Sequence, residues 1–264
     1  MPFTLIKGTF FPGVGIPDGD SVRFAADDIS LWDRLAGNID DPGLNDTVQT
    51  RFEGIDSIEK QAIQPLANDS RDSMLNLIGA ADLQDTPRGF VLSRSVDPNG
   101  RPIVFAFAGD APEDDGDSIF LEPDRLRESV NFRQVQAGFA YPLYYNTLFR
   151  VLRETFNGGL DEAEAAGRGY WPTDATMTGV TIVKRSELDD IPPIWPKLWR
   201  RLEEWLRNHE GLDGFLEFIE AKGERADNLI TFEQSSLDDF IEVIGNTVRM
   251  KVEPRHIRVV SVTT

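Results

Sequence analysis

Cysteine is absent from this 264-residue chain, and histidine occurs only twice, at His209 and His256. Without thiols the chain can form no disulfide, no thiolate metal site and no cysteine nucleophile. The two histidines have no partners at metal-ligand spacing in the sequence, so we assign them no role. Any metal must therefore bind to oxygen ligands, which favours a hard cation.

Basic residues and long apolar runs are also scarce. The chain has 27 lysines and arginines against 45 aspartates and glutamates, a formal net charge of −18. Nucleic-acid affinity depends largely on basic side chains, so we expect no broad nonspecific DNA-binding surface. No apolar stretch approaches the roughly 20 residues that span a bilayer, and no signal-peptide pattern is visible. We therefore expect a globular cytoplasmic protein that does not enter a membrane.

Short apolar runs separated by turn residues predict β-strands in the first 183 residues. Helices are predicted between and after them, two of which begin at a proline and stop at a glycine. This pattern is typical of an α+β fold. The strands are expected near residues 3–5, 22–24, 48–55, 89–92, 103–107 and 180–183, and the helices near 65–78, 123–137 and 143–166.

Two connecting segments stand out. Asp97-Pro98-Asn99-Gly100 separates two β-rich runs and predicts a hairpin. Residues 27–47 are polar and acidic, with Asp40, Asp41 and Asp46 among them. We interpret 27–47 as a loop insertion with one helical turn.

The last 81 residues, 184–264, follow a break at Ile191-Pro192-Pro193. Apolar residues from Trp195 to Leu206 then recur at helical spacing, and this stripe is expected to bury against the rest of the chain or a second subunit. Two more helices are predicted near 212–219 and 237–244, the second capped by Ser235-Ser236. Strands are expected at 248–252 and 257–262, which makes 184–264 a C-terminal α+β appendage.

Four short clusters supply what hydrolysis of a phosphodiester requires. Oxygen ligands can hold a hard cation, a carboxylate can orient or deprotonate water, and guanidinium groups bind phosphate. Each cluster alone is more often a turn or a surface ion pair. The clusters are Asp18-Gly19-Asp20-Ser21, the run from Arg51 to Glu59, Asp97 to Arg101, and Gly167-Arg168-Gly169-Tyr170-Trp171.

The order and spacing of these clusters resemble the staphylococcal nuclease (thermonuclease) family. In that family a D-G-D-[TS] turn precedes a strand, a later strand carries Arg and ends in V-D-[TS]-P-E, and a Y-G-R turn supplies a second Arg. Here Arg51 lies five positions before Asp56, Ser57 stands in the Thr/Ser place, and Glu59 stands where the family has its glutamate.

Two further segments extend the resemblance over about residues 3–183, roughly two thirds of the chain. Gln136 to Tyr141 looks like the family's R-Q-G-L-A stretch, and Gly167 to Trp171 resembles its closing G-x-G-[LI]-W. The resemblance implies a five-stranded OB-fold-type β-barrel with flanking helices over residues 1–183, followed by the appendage at 184–264.

The resemblance also implies a calcium site. Asp20 and Asp56 would bind Ca²⁺ through their carboxylates, and Ser57 through its backbone carbonyl. Calcium accepts such mixed oxygen ligation because its coordination shell is flexible. Glu59 would lie beyond these ligands as the general base or water-orienting group.

The substrate contacts follow from the same resemblance. Arg51 and Arg101 would donate to the phosphate oxygens, because guanidinium stays protonated and can bind bidentately. Tyr141, Tyr144 and Tyr145 are candidate stacking platforms for bases. The implied activity is cleavage of DNA or RNA, single-stranded substrates being favoured, at the bond to the 5′ oxygen with little sequence preference, which leaves 3′-phosphates.

The sequence departs from the family pattern in places. Ile58 replaces the usual proline before Glu59, and Pro102 directly follows Arg101, which fixes the local backbone. The lysine-rich face that assists substrate binding in small members is absent.

Other functions remain open. A catalytically silent OB-type barrel that binds nucleic acid or a protein partner is the main alternative, and the net charge of −18 favours it. A purely structural acidic interaction protein would make the whole motif set accidental. The Asp, Glu and Arg set favours the nuclease, with the appendage available for a protein partner or self-association.

Overall fold

The computed structural model describes residues 2–40 and 42–260. These residues form an α+β fold in which a strongly curved, nearly closed β-barrel sheet packs against several helices. Asp41 of the predicted insertion and Val262 of the last predicted strand lie outside the described residues. No helix of the described ranges is long and apolar enough to cross a membrane.

The barrel sheet is built from the strands that the first half of the sequence predicts. The runs at 89–92 and 103–107 are almost wholly apolar and buried, as expected of strands that are covered on both faces. Its members are β1 (Phe3–Phe10), β2 (Arg23–Ala26), β3 (Val48–Gln49), β4 (Arg51–Phe52), β6 (Arg88–Val96), β7 (Pro102–Ala108) and β8 (Ser118–Ile119), while β5 (Ile55–Asp56) pairs outside it.

The sheet curls because β3 and β4 follow each other closely along the chain but pair with strands at opposite ends of the sheet. The strand order is β3-β2-β1-β6-β7-β4, with β8 added beside β1. All neighbours are antiparallel except β4 and β7, which run parallel. Thr50, which joins β3 to β4, donates its backbone N–H to the Val22 carbonyl at 3.1 Å. One continuous segment therefore links both edges and nearly closes the barrel.

Four helices cover the barrel. They are α1 (Leu66–Ile78), α2 (Pro123–Glu128), α3 (Val130–Gln136) and α4 (Arg150–Ala165). The prediction of α1 is confirmed, and Gly79 ends the helix in the left-handed conformation at φ 87°.

Two helix predictions need correction. The helix expected at 123–137 is divided at Ser129, whose extended backbone and side chain cap α3. The helix expected from residue 143 begins only at Arg150, because Tyr144–Tyr145 form strand β10. Gly159 does not break α4; a Cβ there would lie 2.8 Å from the Phe132 ring, so glycine permits close helix packing.

The predicted insertion at 27–47 is a loop with two short 3₁₀ helices, Ile29–Arg34 and Leu44–Asp46. Asp28 caps the first of them, and Trp32 is buried against Phe24 of β2. The insertion therefore has an apolar anchor on the barrel, although its outer surface is acidic.

The C-terminal region combines helices α5 (Pro196–Leu206) and α6 (Phe215–Ala221) with short strands. The strands are β9 (Tyr141–Pro142), β10 (Tyr144–Tyr145), β11 (Val180–Thr181), β12 (Arg225–Asn228), β13 (Gln234–Ser236), β14 (Ile241–Ile244), β15 (Thr247–Met250) and β16 (Ile257–Val259). Strand β10 pairs with β16, and β11 pairs with β15. The sheets of the appendage thus include strands from before residue 184.

The helix predicted at 237–244 is wrong in most of its length. Ser236 caps only a single 3₁₀ turn, Leu237–Phe240, and the chain then extends as β14. Gly245, at φ 60°, turns the chain so that β14 pairs with β15 as a hairpin. The Gly-Asn pair between two alternating apolar segments was the signal for this turn.

The amphipathic stripe predicts α5 correctly and buries it in a second hydrophobic core. Trp195, Leu198, Trp199 and Leu202 are each at most 4% exposed. This core also contains side chains from before residue 184, such as Tyr170. Helix α5 therefore has a fixed position relative to the barrel.

Charged groups anchor the outer side of α5. Lys197 Nζ donates to Glu224 Oε1 at 2.7 Å, and Arg201 Nε donates to Oε2 at 2.8 Å. Burial acts to raise the pKa of Glu224, but the hydrogen bonds and charges of Arg201 and Lys197 outweigh it and lower that pKa to about 2.

We predict that Glu224→Gln lowers the free energy of unfolding at pH 7 by about 1 to 2 kcal/mol, allowing for solvent screening. The folded-state pKa of about 2 lies below the usual 4.5. The stabilisation is therefore complete above pH 4.5 and is lost as the pH falls toward 2. Urea unfolding followed by tryptophan fluorescence at pH 7 and pH 3 measures both effects.

Glu220→Gln is the matched control, because Glu220 lies on the exposed side of α6. We expect its stability to stay within about 0.5 kcal/mol of wild type. Equal stability of the Glu224→Gln variant and wild type at pH 7 would contradict the anchoring role.

Candidate functional site

Two of the clusters singled out in the sequence lie side by side. Ser57 Oγ accepts a hydrogen bond from the Gly19 N–H at 3.0 Å, and the Ser57 N–H donates to Asp20 Oδ2 at 3.1 Å. The Phe52 N–H donates to the Asp20 carbonyl at 2.9 Å. The turn at residues 18–21 is thus fixed to the segment that carries Arg51, Asp56 and Glu59.

The buried side-chain amide of Gln134 stabilises the contact between these two segments. Gln134 of α3 donates through Nε2 to the Gly19 carbonyl at 2.8 Å and to the Ser70 carbonyl at 3.0 Å. Gln134 is fully buried, so these carbonyls would lose their partners without it. Helices α1 and α3 therefore hold the aspartate turn in place.

A glycine brings Asp56 back beside Arg51. Gly54 has φ 83° and bends the chain between β4 and β5, and a Cβ there would lie 2.7 Å from the Phe156 ring. Arg51 Nη2 donates to Asp56 Oδ1 at 2.7 Å and lies 3.5 Å from Asp20 Oδ2. Two fully buried carboxylates thus converge on one guanidinium.

One of these carboxylates is incompletely paired. Asp20 is 1% exposed, and its Oδ1 has no hydrogen-bond partner within the described ranges. A buried carboxylate oxygen without a partner is costly, so this atom indicates a place for a proton or a cation.

The electrostatics of the cluster agree with this reading. Burial raises the pKa of Asp20 well above its usual value, although Arg51 opposes the rise. Burial also raises the pKa of Glu59. Burial acts to raise the pKa of Asp56 as well, but the adjacent Arg200 and Arg51 lower it. The three acids therefore differ in how readily they give up their protons.

Arg200 is the site residue that sequence reasoning missed. It projects from α5, donates to Asp56 Oδ1 at 3.0 Å and Oδ2 at 2.7 Å, and donates to Glu59 Oε1 at 2.9 Å. The sequence did not predict this contact because Arg200 and Glu59 are 141 positions apart. The available signal was the basic group Lys197, Arg200, Arg201 in an acidic chain.

Arg101 lies apart from the cluster in this structure. It pairs with Asp97 through Nε at 2.8 Å and Nη2 at 2.7 Å, at the turn between β6 and β7. Among the described residues, no hydrogen bond or ion pair joins Arg101 to Asp20, Asp56 or Glu59. The catalytic role of Arg101 stays a prediction.

The three tyrosines are in different environments. Tyr141 is 1% exposed and donates its hydroxyl to Asp174, and Tyr144 is fully buried and donates to Asn157. A nucleic-acid base cannot stack on either ring without opening the core, so this part of the expectation needs correction. Tyr145 is half-buried and lies near enough to Arg51 and Arg200 that their charges act on its hydroxyl. Its substrate role stays a prediction.

The cluster offers few side-chain ligands for a metal ion. In the described part of the chain, no group of three or more His, Asp or Glu side chains is arranged to hold a metal. Asp20 and Asp56 both lie within 3.5 Å of one Arg51 nitrogen, and Asp20 Oδ1 is unpaired. These two carboxylates would supply only part of the roughly six to eight oxygen ligands that Ca²⁺ takes, so the Ca²⁺ site stays a prediction.

No family model matches this sequence, and no curated protein does either. The resemblance to the staphylococcal nuclease family therefore rests on the motif residues themselves. The geometry adds that Asp20, Arg51, Asp56, Ser57 and Glu59 come together in the folded chain.

We predict that Ser57→Ala destabilises the fold by about 1 to 3 kcal/mol, because the buried Gly19 N–H loses its acceptor. Chemical unfolding measures the effect. Ser186→Ala is a suitable control, since Ser186 is exposed in the short 3₁₀ helix Arg185–Glu187, and it should leave the midpoint unchanged. A Ser57→Ala protein as stable as this control would show that the junction is not needed to hold the aspartate turn.

Proposed function

We propose that this protein is a Ca²⁺-dependent phosphodiesterase of the staphylococcal nuclease type that hydrolyses DNA or RNA strands. The observation that carries the proposal is the convergence of Asp20 and Asp56 on Arg51, with Glu59 joined to Asp56 through Arg200 and one buried Asp20 oxygen unpaired. These are residues that the motif spacing selects, and the fold brings them into one cluster.

The barrel supports the same proposal. If β3 and β4 are counted as one strand, the sheet order becomes first, second, third, fifth, fourth and back to the first, with the third and fifth parallel. This order is compatible with the five-stranded OB-type barrel that the resemblance implies, a fold used to bind oligonucleotides.

Asp20 and Asp56 are the side chains that would hold the calcium ion, with the Ser57 carbonyl as a further ligand. The bound ion would neutralise charge on the substrate phosphate and orient it. When Asp18, Asp20, Asp56 and Glu59 are all ionised, four carboxylates against the guanidiniums of Arg51 and Arg200 leave an excess of two negative charges, and a bound divalent cation would favour that ionised state.

Glu59 is suited to act on the attacking water. Its side chain is 23% exposed and therefore partly open to solvent, while its Oε1 accepts from Arg200 at 2.9 Å. The water oxygen would form a bond to phosphorus while Glu59 takes or directs the water proton, and the bond from phosphorus to the 5′ oxygen would break, that oxygen leaving as a hydroxyl with a proton from solvent. Arg51 would donate to the phosphate oxygens, where negative charge grows. As the resemblance implies, the products would carry 3′-phosphates, and cleavage would show little sequence preference.

A silent barrel that binds nucleic acid or a protein partner is the second candidate. The observation that favours it is that guanidinium groups already neutralise both Asp56 oxygens. In that case the cluster would be a buried ion-pair network whose role is structural.

Cleavage of a fluorescent single-stranded DNA, with Ca²⁺ or with excess chelator, separates the two candidates. We expect Glu59→Gln to lower the cleavage rate by about 10² to 10⁴, the usual contribution of a general base. Its DNA affinity and melting temperature should stay close to wild type, because the substitution preserves shape and Arg200 keeps its two hydrogen bonds to Asp56.

Glu128→Gln is the matched control, because Glu128 is exposed at the end of α2. It should cleave like wild type. A folded wild-type protein that binds DNA but does not cleave it with Ca²⁺ would support the silent barrel, and equal cleavage by wild type and Glu59→Gln would exclude the assigned role of Glu59.

A further inference from the structure

Arg200 is the group in the cluster that the motif pattern does not explain. It belongs to α5, in the appendage, yet its guanidinium lies between Asp56, a candidate metal ligand, and Glu59, the candidate base. The substrate phosphate must also lie between these two groups if the proposed function holds. Arg200 is therefore positioned beside the place of reaction.

We propose that Arg200 is the second phosphate-binding arginine of the site, and that the appendage thereby completes the active centre of the barrel. This inference rests on the proposed function. Guanidinium suits the role because its planar fork binds two phosphate oxygens and stays protonated.

The predicted second arginine is held elsewhere. Arg101 forms two contacts with Asp97 at 2.7 and 2.8 Å, and Asp97 also accepts from the Arg101 backbone N–H at 3.0 Å. Moving Arg101 to the cluster would break this local network. Arg200 need not move from another part of the surface, because its guanidinium is already in the cluster and has only to exchange a carboxylate partner for phosphate.

The helix that carries Arg200 has a fixed position. Trp195, Leu198 and Leu202 are at most 1% exposed, and Lys197 and Arg201 are both paired with Glu224. If the whole helix moved and carried Arg200 out of the cluster, this apolar surface would be exposed to water. The guanidinium therefore stays within a side-chain movement of the reacting groups.

The side chain itself has freedom to change partners. Arg200 is 32% exposed, whereas Asp56 is fully buried. Arg200 is held to Asp56 by charge, and that attraction weakens when the same carboxylate oxygens bind a cation. Arg200 can then donate to an incoming phosphate by rotation of its own side chain.

A purely neutralising role of Arg200 predicts the opposite result for phosphate binding. If Arg200 served only to neutralise Asp56 and Glu59, its removal would strengthen Ca²⁺ binding and would not weaken phosphate binding. A phosphate-binding arginine instead lowers phosphate affinity and turnover when it is removed. The two roles therefore separate on binding as well as on activity.

The test compares wild type with Arg200→Ala, Arg200→Lys and Arg101→Ala. Calorimetry measures Ca²⁺ binding alone, then binding of thymidine 3′,5′-bisphosphate in the presence of Ca²⁺, and kinetics measure cleavage of single-stranded DNA. Arg207→Ala is the matched control, because Arg207 follows the same helix and its side chain is 61% exposed.

We expect Arg200→Ala to bind Ca²⁺ as well as wild type or better, yet to bind the bisphosphate about 10-fold to 100-fold more weakly. Cleavage should fall by about 10² to 10³, the usual loss for a preorganised donor. Arg200→Lys should recover part of each loss, because lysine keeps the charge but not the bidentate geometry. Arg207→Ala should bind the bisphosphate like wild type. A loss of bisphosphate affinity in Arg101→Ala but not in Arg200→Ala would assign the second phosphate contact to Arg101 and overturn the proposal.

The proposal would be overturned if Arg200→Ala bound the bisphosphate and cleaved DNA as well as wild type or better. It would also be overturned if the wild-type protein bound no bisphosphate. If wild type binds the bisphosphate but cleaves nothing, the proposed function fails while the binding data still decide on Arg200. If Arg200→Ala does not fold, as judged by its melting curve, Arg200→Lys decides by the same measurements.

Discussion

The carboxylate of Asp56 is the point on which the barrel and the appendage both depend. Arg51 reaches it from the barrel strand and Arg200 from α5, each at 2.7 Å. Removing one partner of a buried ion pair costs about 3 to 5 kcal/mol, because the other charge is left uncompensated. Asp56 therefore requires basic groups from two separate parts of the chain. The position of α5 and the geometry of the site cannot be varied independently.

A buried ion-pair network of this kind contributes little net free energy to folding. Burying ion pairs gains little over well-packed apolar residues, since desolvation offsets most of the attraction. Here the network also leaves Asp20 Oδ1 unpaired and places Glu59 beside Asp56 with a raised pKa. Perturbed acids grouped with an unsatisfied oxygen are typical of functional sites. These features are the ones that the proposed function requires of a site held ready for a ligand.

The local parts of this structure could be predicted from the sequence, and the long-range parts could not. Pro65 and Gly79 delimit α1, and the Trp195-to-Leu206 stripe predicts α5, because these signals depend on neighbours within a few turns. Tyr144–Tyr145 reads as helix but forms a strand, because its partner β16 lies more than a hundred positions away. Arg200 was missed for the same reason. The motif residues were found because their order and spacing resemble a known family pattern, to which Arg200 does not belong.

The acidic composition and a phosphate-binding role are compatible once charge is considered locally. A net charge of −18 repels a polyanion at a distance, and salt screens that repulsion beyond about 10 Å. Within the cluster, Arg51 and Arg200 provide two guanidinium groups. When ionised, their three carboxylate partners Asp20, Asp56 and Glu59 exceed them by one charge, and the neighbouring Asp18 adds a second. A divalent cation bound to those carboxylates would balance this excess and leave both arginines available to a phosphate. An acidic protein of this design would contact nucleic acid mainly at one small site, so its affinity should depend on calcium more than on the overall charge of its surface.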